Sequence, residues 1–308
     1  MKLAERFKRY RKVHSLKADN NVERFAWAFL SVASIIFLFP MFAAVMVSIS
    51  SQESIGANGY QLWPDSFSFE AYELLFKHYG YSMGRAVILT VGTGLVQPLL
   101  SMFLCVCLAY PLSQPDFMGR DFWRKFLVFT MLFSGGLVPT YILKTRYLHL
   151  KNTIWIYLLP GVGAWTVFLF RTFFVNIDKS MVESAKIDGA SNFRILLSIM
   201  LPLTKPLVAM NFFSGFLGRW NDITTPLYYI TKPKLYTIQF LLQQMLSSAE
   251  TMKSLIEQGL ASDADMPKIP IDATRFALAV IGALPVFILF PYIQKYYAKG
   301  IMLGSTKG

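Results

Sequence analysis

Apolar and polar positions follow one another in long blocks. Six apolar runs recur, at roughly 25–48, 86–112, 126–143, 153–174, 207–230 and 276–292. Each approaches the ~20 residues a helix needs to cross a hydrocarbon core of about 30 Å. In lipid every backbone polar group must be satisfied within its own segment, so the runs predict six membrane-spanning helices and an all-α, polytopic fold. Several runs carry interruptions. Gly92, Gly94, Gln97 and Pro98 predict a kinked, closely packed second span. Ser134, Gly135, Gly136 and Pro139 break the third, and Pro160, Gly161 and Gly163 the fourth. Such breaks are tolerated at membrane depth only against protein or water.

The polar interval between the fourth and fifth runs has helical signals of its own. Asp178 or Ser180 can cap a helix that starts there, and Ser180 with Glu183 reads as a capping box. Met181, Val182 and Ala185 fall on one face, with Lys179, Glu183 and Lys186 towards the other. Gly189 supplies a permissive backbone to end that helix, and Ser191 can cap a second one. Pro202 and Pro206 punctuate the start of the next span. Lipid has no use for a polar, well-capped helical hairpin, so the interval predicts a docking surface.

Composition agrees with a membrane protein. The chain is 54% hydrophobic and 16% charged, with 27 Phe and 15 Tyr, against about 25% charged residues in ordinary soluble domains. A net charge of +12 would suit nucleic acid, but the positives cluster at span ends, as the positive-inside rule predicts. They are densest in a tail over 1–25, which is expected in the cytoplasm together with a C-terminal tail over 300–308. Lys144, Arg146 and Lys151 fall on the outer side and are an imperfection in that pattern. The segments expected outside are 49–82, with a short amphipathic helix near 70–76, and 231–275, with an amphipathic stretch at 238–246. Cys105 and Cys107 point to different helix faces, which suits small buried apolar residues.

One intramembrane cluster stands out. Asp222 lies inside the fifth run, and a charge at that depth costs about 2.5–3.5 kcal/mol on insertion scales. Arg219 is three residues earlier on the same face and can pair with it. Gln97 and Asn221 add hydrogen-bonding capacity, and Trp220 and Tyr229 add flat surfaces of the kind sugars stack on. Two readings stay open: a substrate pathway, or a polar kink that stabilises a broken helix.

Catalytic machinery is not visible in the sequence. There is no phosphate-cradling glycine loop with its Lys. His14, His78 and His149 are scattered away from metal-ligand spacing. Any energy has to come from a partner protein. A secondary transporter or channel is the leading alternative, but it would favour internal repeats and several intramembrane carboxylates.

The interval carries a resemblance. Glu183, Ser184 and Ala185, then Asp188 and Gly189, then Ile199, Leu201 and Pro202, resemble the EAA loop of ATP-binding cassette (ABC) importer permeases. Ser184 stands where that family usually has Ala. The run 133–141, the Trp220, Asn221, Asp222 run and the ending 299–308 resemble the maltose-type carbohydrate permeases. Within these they are most similar to the branch assigned to aldouronates and polygalacturonan fragments; an ABC permease for a non-sugar solute stays open as a second alternative. The resemblance implies a type I importer fold, with a permease domain over 26–299 and a coupling loop over 178–206. Met181 and Val182 would belong to the coupling surface with the motif residues. It implies no cofactor on this chain. The implied partners are a homologous second permease subunit, two ABC ATPase subunits, an extracellular solute-binding lipoprotein, an oligosaccharide and the bilayer of a bacterial cell membrane.

Overall fold

The structure, a computed structural model, describes residues 19–258 and 270–304. Most of the expected basic tail, part of the outer segment 231–275 and the last four residues lie outside the described residues. Among the described residues the fold is helical, with one isolated antiparallel bridge, Ser50 to Phe67, and no sheet.

In chain order the helices are α1 (Asp19–Ser48), α2 (Gln52–Asn58), α3 (Glu70–Ser113), α4 (Arg120–Leu132) and α5 (Leu137–Ile142). After a π-type turn come α6 (Trp155–Leu158), α7 (Ala164–Val175), α8 (Lys179–Ile187) and α9 (Asn192–Ile195). The last are α10 (Lys205–Trp220), α11 (Thr224–Tyr229), α12 (Ile238–Glu257) and α13 (Ile271–Gly304). Two helical segments, Arg24–Ser48 and Glu70–Ser113, are long and apolar enough to cross a membrane. Two bent pairs pass the same test together: 120–132 with 137–147, bent by 107°, and 192–203 with 205–220, bent by 83°. That makes two candidate spans, or four with each bent pair taken as one, among the described residues.

The breaks fall where glycine and proline sit. The third run turns at Phe133 to Gly136, where Gly136 adopts φ +81°. The fourth run is split at 159–163, and the 12 residues of α7 reach only about 18 Å at 1.5 Å per residue. The fifth run is split between Trp220 and Thr224. The outer segment 49–82 differs from expectation. The helix expected near 70–76 is the first part of α3, which continues unbroken for 44 residues. Gly80 and Gly84 lie within this helix, a side chain at either would meet nothing within 4 Å, and its first proline is Pro98.

The described residues divide into two compact units, those within 1–73 and 267–280, and those within 74–266 and 281–308. In the first, α1 is apolar and almost wholly exposed, with Phe25, Ile35, Phe37 and Leu38 outward, a surface for lipid rather than water. Its end is tied down: the Ser48 and Tyr72 hydroxyls lie 2.8 Å apart, and Gln52 Nε2 and Tyr60 Oη donate to Asp272.

In the second unit one apolar cluster packs α3 and α7 against the polar interval. Val106, Ala109, Leu112, Val167, Phe170, Ile195, Leu196 and Met200 are all buried in it. A further contact joins α3 to α10: a Cβ on Gly215 would lie 2.7 Å from Pro98 Cβ. Here the two helices approach backbone to ring, as small residues in membrane bundles permit.

Candidate functional site

The polar interval forms the hairpin its caps call for. Asp178 caps α8, its carboxylate accepting from the Ser180 N–H at 3.0 Å. The Ser180 N–H and then its hydroxyl hold the Asp178 carboxyl below the usual carboxylate range. That cap is present above the ordinary range and is lost as pH falls through the lowered value. At the other end Gly189 takes φ +78°. The Ala190 N–H reaches the Ala185 carbonyl and the Gly189 N–H the Lys186 carbonyl, which makes a Schellman motif. Ser191 then caps α9 by accepting from the Arg194 N–H at 3.3 Å. The chain leaves through a π-type turn, Leu196–Met200, and a last turn, Leu201–Leu203.

The hairpin has two sides. Val182, Ala185, Ala190, Ile199 and Leu201 pack against the buried cluster. Met181 departs from the face expected for it and is 44% exposed. Ile187 is 86% and Phe193 56% exposed, and Glu183, Ser184, Asp188, Gly189 and Pro202 are also exposed. Three large apolar side chains are thus left open on a polar hairpin. The motif residues are therefore divided: some fix the hairpin to the bundle, others face outward.

The expected pathway residues have other neighbours. Arg219 and Asp222 form an ion pair, with side chains 11% and 13% exposed. Arg219 Nη2 also donates to the Tyr157 carbonyl at 2.9 Å, and its guanidinium lies over the Tyr157 ring. Asp222 accepts from the Thr225 N–H at 2.9 Å, which starts α11, and its carbonyl accepts from the Thr237 hydroxyl. Trp220 is 2% exposed and its indole N–H donates to the Gly282 carbonyl at 3.0 Å. Asn221 is exposed and turned back on the Leu217 carbonyl. Gln97 donates to the Ser101 hydroxyl, and that hydroxyl accepts from the Gly161 N–H at the break in the fourth run.

Tyr229 is stacked on Tyr141, ring centroids 5.6 Å apart, with Lys144 Nζ 5.2 Å from its centroid. It belongs to a rim. Asn152, at φ +59°, accepts from the Thr231 and Lys232 N–H groups and donates through its own N–H to the Tyr229 carbonyl. That clamp holds the loop carrying Lys144, Arg146 and Lys151 against the loop carrying Lys232 and Lys234. Arg85 joins them, donating to the Pro233 carbonyl at 3.1 Å.

The sequence matches the family of binding-protein-dependent transport system inner membrane components over residues 12–302. The chain belongs to that family. It is 32% identical over 284 residues to the polygalacturonan/rhamnogalacturonan transport system permease protein YtcP of Bacillus subtilis (strain 168), covering 92% of this chain and 96% of that one. The maltodextrin transport system permease protein MdxG of the same organism is 26% identical over 294 residues, covering 92% and 95%. Among solved structures, a bacterial ABC transporter involved in the import of the acidic polysaccharide alginate aligns with TM-score 0.74 and 25% identity, over 92% of this chain and 98% of that one. The permease is thus a membrane subunit of an ABC importer and not itself catalytic.

The sequence reading passed over the cations of the rim and those beneath the hairpin, Arg120 and Arg171. Lys144, Arg146 and Lys151 did carry a signal, because they break the positive-inside pattern. Arg120 and Arg171 did not, since positive charge at a span end is what topology alone predicts. Among the described residues no group of His, Cys, Asp and Glu has the arrangement to hold a metal ion.

Proposed function

We propose that this permease imports an acidic, uronate-containing oligosaccharide. An extracellular solute-binding lipoprotein would hand the sugar over. A homologous second permease subunit would complete the path, and two ABC ATPase subunits would hydrolyse ATP, since this chain has no nucleotide loop of its own. In this reading six spans over 26–299 cross the bacterial cell membrane, both termini are cytoplasmic and 178–206 is the coupling loop. The exposed Met181, Glu183, Ile187 and Phe193 would meet an ATPase. Asp222 and Trp220 serve as braces of the broken fifth span, because Trp220 is buried, Asp222 is mostly so, and both are satisfied within the fold. Tyr229 and Lys144 would lie nearer the sugar.

The observation that carries the substrate class is the rim. Arg85, Lys144, Arg146, Lys151, Lys232 and Lys234 lie on segments that the Asn152 clamp and the Arg85–Pro233 bond hold together. A cationic mouth raises the local concentration of an anionic solute and repels cations. The polygalacturonan named for one relative and the alginate named for the structural neighbour are of that chemistry.

The test is transport by the complete complex in proteoliposomes, with binding protein saturated by an oligogalacturonide. Lys144→Glu should lower uptake about tenfold or more, as like charge facing an anion costs several kcal/mol. Lys144→Gln should fall between the two. Unchanged uptake in Lys144→Glu, or equal loss with a neutral maltodextrin as cargo, would remove the acidic-sugar reading.

A further inference from the structure

Beneath the coupling hairpin lies a pocket of about 280 Å³. Its cationic walls come from three places: Arg120 at the start of α4, Arg171 on α7, and Lys179 and Lys186 on α8. Two carboxylates, Asp116 and Glu183, also line it. Neither forms an ion pair with those cations among the described residues.

The two guanidinium groups are held by backbone. Arg171 Nε donates to the Leu112 carbonyl at 3.0 Å, and Arg120 Nη1 to the Gln114 carbonyl at 3.5 Å. Each bond fixes one nitrogen, and neither carbonyl carries a formal charge to offset the guanidinium. Arg171 also feels the positive charges of Arg124 and Arg120. Asp121 is shared between Arg124 at 2.8 Å and Arg120 at 3.9 Å. No side chain caps α4 at Gly119, so the positive end of its dipole adds to the same field.

Convergent like charges without a full set of counter-charges favour an anionic ligand, and planar guanidinium groups suit oxyanions. We propose that this pocket binds a phosphate group, from an anionic phospholipid or from a soluble phosphate, and that the bound group braces α8. The pocket volume lies at the small end for ligand sites, which fits a headgroup or a small phosphate rather than a long sugar. Because Lys179, Val182, Glu183 and Lys186 belong to the coupling helix and to the pocket wall, occupancy would set the pose in which α8 meets its partner. This proposal rests on the role given to the coupling loop for its consequence, but its binding claim does not depend on what the transporter carries.

The experiment uses the purified complex in phosphatidylcholine nanodiscs and follows thermal unfolding. One arm adds phosphatidylglycerol to the lipid; the other titrates inorganic phosphate at ionic strength matched with chloride. The expected result is a rise in Tm with at least one probe and an apparent affinity for that probe about tenfold weaker in Arg120→Gln/Arg171→Gln. Lys125→Gln, an exposed cation outside the pocket wall, should respond like the native complex. A response to the lipid arm alone assigns a headgroup, and a response to phosphate assigns the soluble source. If the arginine variant fails to fold, Lys179→Gln/Lys186→Gln on the exposed helix face must weaken the response instead. No Tm rise with either probe, or an equal rise in the pocket variants, overturns the proposal. Both readouts are binding measurements, so a failure of acidic-sugar transport would leave them unaffected.

Discussion

Single residues hold two of the points where the second unit changes direction. Gly189 is one. Its φ of +78° lies in open space, with nothing within 4 Å of an added Cβ, so the cost of a side chain there is one of backbone conformation. Gly189→Ala should destabilise the hairpin by about 1–2 kcal/mol. Gly189→Pro should do more, because it forbids that φ and removes the N–H given to the Lys186 carbonyl. Faster proteolytic cleavage within 186–192, with the rest of the chain intact, is the expected reading. The Arg219–Asp222 pair is the other point. Asp222→Asn leaves a buried guanidinium without its counter-charge and should cost about 3–5 kcal/mol, seen as a lower Tm of the complex. Arg219→Met with Asp222→Leu should recover part of that loss, which a direct role in binding sugar would not predict for transport. The pairing itself was legible, since i and i+3 share a helix face. The Tyr157 carbonyl and the Thr237 hydroxyl were not, because they arrive from 62 and 15 residues away.

At the scale of elements, caps and breaks were readable where the chemistry is local. Asp178, Gly189 and Ser191 end or start helices for reasons contained in four or five residues. The Gly135 and Gly136 pair marks where the third run breaks, but the 107° bend there depends on what each half packs against. The unbroken α3 is the opposite case. The short helix expected near 70–76 and the span expected from 86 are one continuous helix, since the glycines between them weaken a helix by only about 1 kcal/mol each. The α3–α10 contact gives this scale its prediction. Gly215→Val would push into the Pro98 ring, 2.7 Å from its first side-chain carbon. Overpacking of that kind costs about 1–3 kcal/mol, and the two helices would separate at Gln97 and Arg219 alike. A lower Tm together with reduced uptake is expected. Gly282→Ala is the control, because its Cβ meets only the ends of Leu242 and Gln239 side chains at 3.2 and 3.3 Å, which can move.

For the whole molecule the question is how a partner would drive the permease, in the role proposed for the hairpin. The structure suits that role: the hairpin's inner side is continuous with the buried cluster of α3 and α7, while Met181, Glu183, Ile187 and Phe193 are exposed. A partner pressing on the outer side would therefore move the packed helices with it, as rigid elements moving about an interface do. Glu183 separates grip from folding. Its side chain is exposed and, among the described residues, forms no ion pair within the chain, so removing it should leave insertion and thermal stability near native. Surface substitutions of this kind usually change stability by no more than about 0.5 kcal/mol. If the carboxylate meets a cation on an ATPase, Glu183→Ala should weaken coupling: basal ATP hydrolysis by the assembled complex continues while its stimulation by sugar-loaded binding protein and the uptake of sugar both fall. Glu183→Gln, which keeps the shape and loses the charge, should sit with Ala if charge is what matters and with the native residue if shape is. Native uptake in both variants would mean that the motor grips elsewhere, and the exposed Ile187 and Phe193 would be the next side chains to change.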